Sequence, residues 1–322
     1  MSIVAEAEIA ASDGVVSTPK VVVEKIVKET LRPLLHSCTV TEVLELRVAD
    51  ICCGSGTFLL TAYDQLLTYV ADRLAIESLP TNWIIQPSAA RSGTNQQGSR
   101  ISIWGKQQIL AKCLYGLDIN PYAVEVAKFS LYLKLLEGET AATTDDFIGR
   151  HKNGVLPTLA QNIKCGNALV DNTIFDVLPN LVENDDLLYR IKPFDWVAEF
   201  PFLAKTGGFD AIIGNPPYIR IQNMARYASE ELLYYQMDAS GYAGTGHESF
   251  DKYYLFVQRA ILLLNPTGWL GYIIPHKFFT LTGGKVLRQF ITANSYIHKL
   301  IHFGVTQVFP GRSTYTDRKS VV

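Results

Sequence analysis

Two periods of apolar residues alternate along this chain, and the switches between them outline its elements. After Pro19, the residues Val22, Val23, Ile26, Val27 and Leu31 recur at three- and four-residue intervals, the spacing of one buried helix face. Ser17 or Thr18 is placed to cap that helix, with Pro19 in its first turn. Leu44–Ile51 is an apolar-rich run that reads as a buried strand, with Asp50 near its end. Gly54-Ser55-Gly56 breaks it, and the helical period resumes over TFLLTAYDQLLTYVADRLA. Cys113–Ile119 predicts a second strand, Pro121 to about Leu136 an amphipathic helix, and Ile163–Cys165 a third strand. Phe209–Ile213, Trp269–Ile274 and Ile297–Phe303 read as further strands. Helices are predicted over Asp251–Leu264 and Lys285–Ala293, with a turn at Asn265–Gly268. Strands alternating with helices predict an α/β fold on a doubly wound, mainly parallel sheet.

Between these elements the periodicity fades. Residues 1–14 read as a flexible arm, 86–100 as a polar surface loop and 138–160 as an insertion. Residues 170–205 mix turn formers with scattered aromatics, and 220–250 read as a Tyr-rich loop with one helix.

Composition narrows the class. A chain of 322 residues that is 48% hydrophobic and 19% charged can bury a sizeable core. Its formal net charge of −2 lacks the basic footprint of a strong nucleic-acid binder. The five cysteines, Cys38, Cys52, Cys53, Cys113 and Cys165, show no Cys-x-x-Cys spacing and no neighbouring histidine. They predict no metal site and reduced thiols in a cytoplasmic setting. No run of about 20 apolar residues and no leader pattern occurs, so no membrane segment is expected.

Chemistry enters at two places. Asp50-Ile51-Cys52-Cys53-Gly54-Ser55-Gly56 stands where a strand turns into a helix. Glycines there allow a tight turn and a close approach to a ligand at the carboxyl edge of the sheet. By itself that pattern is equally a plain tight turn. Asp118, at the end of the next strand, is placed to bond ribose hydroxyls and favours an adenosine-bearing ligand. Leu59 stands where a dinucleotide fingerprint needs its third glycine, which argues against an NAD enzyme. The second place is Asn215-Pro216-Pro217-Tyr218, directly after an apolar strand. Two prolines and an Asn also punctuate ordinary loops. The chemical reading accounts for each member. An amine on an aromatic ring is a poor nucleophile because its lone pair is delocalised. Hydrogen bonds to the Asn215 side-chain oxygen and the Pro216 carbonyl would draw that nitrogen towards tetrahedral geometry and free the lone pair. The prolines stiffen the backbone, and Tyr218 offers a face for base stacking.

With these segments the chain resembles the adenine-N6 DNA methyltransferases of gamma motif order, and most of all the methylase portion of single-chain type II restriction-modification enzymes. The resemblance runs from about Val15 to Phe309. It implies a Rossmann-like, seven-stranded S-adenosylmethionine-dependent methyltransferase sheet. Thr18 and Pro19 match the family's first cofactor segment, where Ser17 replaces the usual aromatic. DICCGSGTFLL implies Asp50, Cys52, Gly54 and Gly56 at the methionine end of S-adenosyl-L-methionine. GLDINPYAVEVA implies Asp118 on the ribose and Ile119 against the adenine, and CGNALV implies Asn167 at the adenine amine. HFGVTQVFPG implies Phe309 opposite Tyr218 across a flipped base; a core aromatic at a strand end is the competing reading. The catalytic domain is expected over 15–311.

The family continues into a target-recognition domain that reads double-stranded DNA. Here the polar tail 312–322 is expected to mark a truncation or an altered frame, with a separate specificity or restriction subunit as a possible partner. Two alternatives stand beside DNA-adenine methylation: methylation of a protein glutamine or of RNA, and a cofactor-binding fragment that is inactive without a DNA-recognition subunit.

Overall fold

Strand β1 (Val48–Asp50) is buried at every position and lies at the centre of the sheet. The computed structural model describes residues 18–74, 76–77, 81–85, 100–150, 154–243, 250–293, 295–303 and 319–321. Helix α1 (Lys20–Leu35) precedes β1 and α2 (Thr57–Arg73) follows it. Next come α3 (Ile103–Cys113), β2 (Leu114–Asp118), α4 (Pro121–Leu136), α5 (Ala141–Arg150) and β3 (Ile163–Cys165). The second half holds β4 (Phe209–Gly214), α6 (Ser229–Gln236), α7 (Lys252–Leu263), β5 (Leu264–Pro275) and α8 (Lys285–Ala293). The short β6 (Ile301–His302) and β7 (Lys319–Val321) come last.

The strands line up as β3-β2-β1-β4-β5-β7-β6. The first five are parallel, and β7 pairs antiparallel with both its neighbours. The order reverses between β1 and β4, and a ligand crevice opens at such a switch point, beyond the carboxyl ends of the strands. Asp50, Asp118 and Gly214 end the strands there.

Alternate side chains of each strand feed two cores. Val48, Ala211, Ile213 and Ile273 pack with Ile26, Leu31, Leu59, Tyr63 and Leu131 on one face. Ala49, Ile212, Tyr272 and Ile274 pack with Tyr253, Leu255 and Phe256 on the other. This is the period-two geometry of a strand covered on both sides.

Several boundaries differ from the sequence reading. The strand expected over Leu44–Ile51 is only Val48–Asp50, because Val40–Val43 form a helical turn with a reciprocal Thr39–Glu42 capping box. Neither Ser17 nor Thr18 is seen to cap α1: Pro19 holds the N-cap position without a side-chain bond, Thr18 bonds elsewhere, and Ser17 lies outside the described residues. The 138–160 insertion contains helix α5. The Asn265–Gly268 turn is absorbed into β5 as extra residues, since Phe209 faces Leu264 while Ala211 already faces Trp269. Residues 170–205 form short helical turns, and their Trp196, Phe200 and Phe202 pack with Tyr115 and Phe209 of the sheet.

Candidate active site

The glycine loop is held to the sheet by its acidic neighbours. Cys53 donates its backbone N–H to the Leu117 carbonyl at 3.0 Å, and Gly54 donates to Asp118 Oδ2 at 2.8 Å. Asp118 Oδ1 accepts from the Asn120 N–H at 2.9 Å, at the start of α4. One carboxylate therefore ties the loop after β1 to the turn after β2. Gly54 has φ +52°, and a Cβ built on it meets nothing within 4 Å, so its backbone borders open space. Gly56, at φ +87°, starts α2; a Cβ there would lie 3.2 Å from that of Ala127.

Asp50 is 1% exposed, and its Oδ1 accepts from the Cys52 N–H at 3.1 Å. Burial pushes its carboxyl up to about 7; the Cys52 N–H opposes that rise and the Asp118 charge adds to it. The Cys52 and Cys53 thiols are raised well above their ordinary value, chiefly by burial, and so stay protonated.

Gly214, the residue directly before the tetrad, lies against this carboxylate. A Cβ on Gly214 would fall 2.8 Å from Asp50 Oδ1, so the position accepts only glycine without displacement. Asn215 follows, and its Nδ2 donates to Thr18 Oγ1 at 3.0 Å. At the other end of the amide, the Tyr218 hydroxyl donates to Asn215 Oδ1, and it also reaches the Ile273 carbonyl at 2.8 Å. The Tyr218 ring meets Tyr253 edge-on at 5.9 Å. Burial holds its phenol well above the usual value. Tyr218 is thus turned inward in this conformer, with its hydroxyl on the oxygen that the tetrad chemistry requires. Pro216 is buried and Pro217 half-buried beside it.

Direct bonds link Thr18, Asn215 and Tyr218 in one group, and Gly54 with Asp118 in another; Asp50 lies against Gly214, one residue before Asn215, and bonds the Cys52 N–H, two residues before Gly54. The Pro19 carbonyl accepts from Val22 and Val23 and so starts α1. Ile119 is half-buried, and its carbonyl accepts from Lys192 Nζ at 3.0 Å. Asn167 is placed differently. It is 3% exposed, its Nδ2 donates to Glu231 Oε2 at 3.2 Å and its Oδ1 accepts from Leu169 N–H at 3.1 Å, so both ends of the amide are engaged within the protein. Phe309 lies outside the described residues.

Sequence reasoning missed Gly214 and Tyr272. The first had a signal, a glycine directly before the tetrad. Tyr272 had none: it pairs with Gly214 on the neighbouring strand, it is fully buried, and its hydroxyl finds no hydrogen-bond partner among the described residues.

The family model for the Eco57I restriction-modification methylase matches residues 112–309. RM.Eco57I of Escherichia coli, a type II restriction enzyme and methyltransferase, is 34% identical over 303 residues, covering 94% of this chain and 27% of its own length. The adenine-specific methyltransferase PglX of Streptomyces coelicolor is 26% identical over 225 residues, covering 69% of this chain and 16% of its own length. The chain therefore spans well under two thirds of these curated relatives. Among solved structures, the type I restriction-modification methyltransferase subunit from Streptococcus thermophilus aligns with a TM-score of 0.50 at 13% identity, over 97% of this chain and 45% of that one. That likeness is one of fold.

Proposed function

The chain belongs to the Eco57I restriction-modification methylase family, and from that premise we propose that it transfers a methyl group from S-adenosyl-L-methionine to the N6 amine of adenine in double-stranded DNA. The observation that carries this reading is the Asn215 amide, held at the carboxyl end of β4 one residue beyond the glycine that lies against Asp50.

The donor set suits the cofactor. Asp50 offers a buried carboxylate to a cationic methionine end, and Gly54 borders open space beside it. Asp118 brings a carboxylate, the acceptor that ribose hydroxyls need, to the end of β2 beside the glycine loop. The Tyr272 hydroxyl, without a hydrogen-bond partner among the described residues, lies within electrostatic reach of Cys52 and Asp50. Bound there, the cofactor supplies an activated methyl on a sulfonium.

The chain's own residues do the rest. A base in a duplex reaches this depth only when flipped out of the stack. As it enters, the Tyr218 hydroxyl leaves Asn215 Oδ1, and the Tyr218 ring becomes a stacking face, an interaction worth about 1–3 kcal/mol. Asn215 Oδ1 and the Pro216 carbonyl then hold the two amine hydrogens and localise the nitrogen lone pair. Orientation and fixed dipoles lower the barrier, so no strong base is required.

The test is to incubate the chain with methyl-labelled S-adenosyl-L-methionine and unmethylated DNA, then hydrolyse the DNA and identify the labelled base. Labelled N6-methyladenine is expected. Label confined to protein or RNA would overturn the reading.

A further inference from the structure

We propose that Thr18 is a positioning residue for the Asn215 amide, a role distinct from the cofactor contact that the family resemblance implies. The inference rests on the methyl-transfer reading above. Asn215 Nδ2 lies 3.0 Å from Thr18 Oγ1, and the two residues are 197 positions apart in sequence. Thr18 is 8% exposed. It is presented from a firm base: the Pro19 carbonyl accepts from Val22 and Val23 at 2.9 and 3.1 Å, and α1 buries Val23, Ile26, Val27 and Leu31 in the core.

The chemistry turns on the two ends of an asparagine amide, which are alike in size and opposite in polarity. The target amine is a donor and needs the oxygen. An amide turned over would present a second donor and repel it. In the resting site the amide is held at both ends, by Thr18 at Nδ2 and by Tyr218 at Oδ1. Once Tyr218 has moved aside for the base, the Thr18 bond is, among the described residues, the one left to keep the oxygen turned inward. Thr18 therefore acts on turnover through Asn215, while the Asp50 and Asp118 groups face the cofactor.

The test uses the full chain with Thr18→Val, which removes the hydroxyl at nearly constant volume, and Thr18→Ser, which keeps it. The first readout is the Asn215 side-chain NH2 pair in a ¹⁵N-¹H spectrum, assigned by its loss in Asn215→Ala. The wild-type pair is expected to be protected from solvent exchange, to shift and lose protection in Thr18→Val, and to be retained in Thr18→Ser. The second readout is kinetic. Thr18→Val should lower kcat roughly tenfold, as for one lost hydrogen bond to a group left unpaired, with the KM for S-adenosyl-L-methionine held within about twofold. Thr18→Ser should recover most of that loss.

A wild-type pair that exchanges as a free amide overturns the proposal, even if Thr18→Val fails to fold. So does Thr18→Val with raised cofactor KM and unchanged kcat, which returns Thr18 to the cofactor. Absence of any methyl transfer by the wild-type chain overturns the methylation reading instead, and the amide resonances still decide the role of Thr18.

Discussion

Asp50 is a carboxyl held where water cannot reach it, and its setting makes pH a probe of the site. Its folded value of about 7 lies above the ordinary carboxylate range because burial disfavours the charged form. Only the ionised form attracts a cationic cofactor. Affinity for S-adenosyl-L-methionine should therefore rise between about pH 6 and about pH 8 and then level off, and Asp50→Asn should flatten that profile in a calorimetric titration. Folding stability of the free chain responds with the opposite sign. The raised value gives a contribution that is complete below about pH 4 and is lost as pH climbs through about 7. Comparing denaturant midpoints of wild type and Asp50→Asn at both ends of that window isolates it. For the tetrad, Asn215→Ala should reduce labelled-methyl transfer by about a hundred- to a thousandfold, the usual cost of losing a positioned polar group at a reacting centre. Cofactor affinity, measured in parallel, should stay close to wild type, since Asp50 and Asp118 are untouched.

Between helices, one buried ion pair joins the 220–250 segment, read from sequence as a Tyr-rich loop with one helix, to the helix predicted after it. Glu231 on α6 and Lys252 at the start of α7 approach to 3.3 Å with side chains 5% and 4% exposed. Glu231 Oε2 also accepts from the Tyr235 hydroxyl at 2.8 Å and from Asn167 Nδ2 at 3.2 Å. The Lys252 N–H donates to the Ile219 carbonyl at 2.8 Å, one residue past the tetrad. The pair thus ties the loop after β3, helix α6 and the tetrad loop together. Glu231→Gln removes the negative member of this buried pair and should cost about 3–5 kcal/mol in denaturant unfolding. Adding Lys252→Met should return part of that loss, because the positive member of the buried pair is then gone as well. A double variant no more stable than Glu231→Gln would mean that the two side chains do not act as a pair. Sequence patterns hid this pairing because charged residues on a short helix read as a solvated face.

Across the whole molecule, the reversal of strand order between β1 and β4 brings the ends of β1, β2 and β4 to one crevice. A ligand bound there contacts residues from both halves of the chain and so stabilises the folded state as a unit. Saturating S-adenosyl-L-methionine at about a hundred times its Kd should add about 2.7 kcal/mol, a rise in Tm of roughly 4 °C for a chain of 322 residues. Differential scanning fluorimetry reads this directly. Asn215→Ala should keep the shift, and Asp118→Ala should shrink it. Among the described residues no helix is long and apolar enough to cross a membrane.

What the sequence determined by itself is local. An apolar run ending in an acid, a glycine turn and a helical period identify the strand–loop–helix after β1, and Asn-Pro-Pro-Tyr after FDAII marks the tetrad, because these depend on neighbours along the chain. The tertiary structure decided the partners. It turned Thr18 from a helix cap to Asn215, joined Asp118 to Gly54 across 64 positions, drew the Asn167 amide into a buried bond with Glu231, and folded the Tyr218 hydroxyl onto Asn215. The physical reason is that a side chain with several possible hydrogen-bond partners takes the one that strand order and burial bring near, and apolar periodicity records which face is buried but not what lies opposite it.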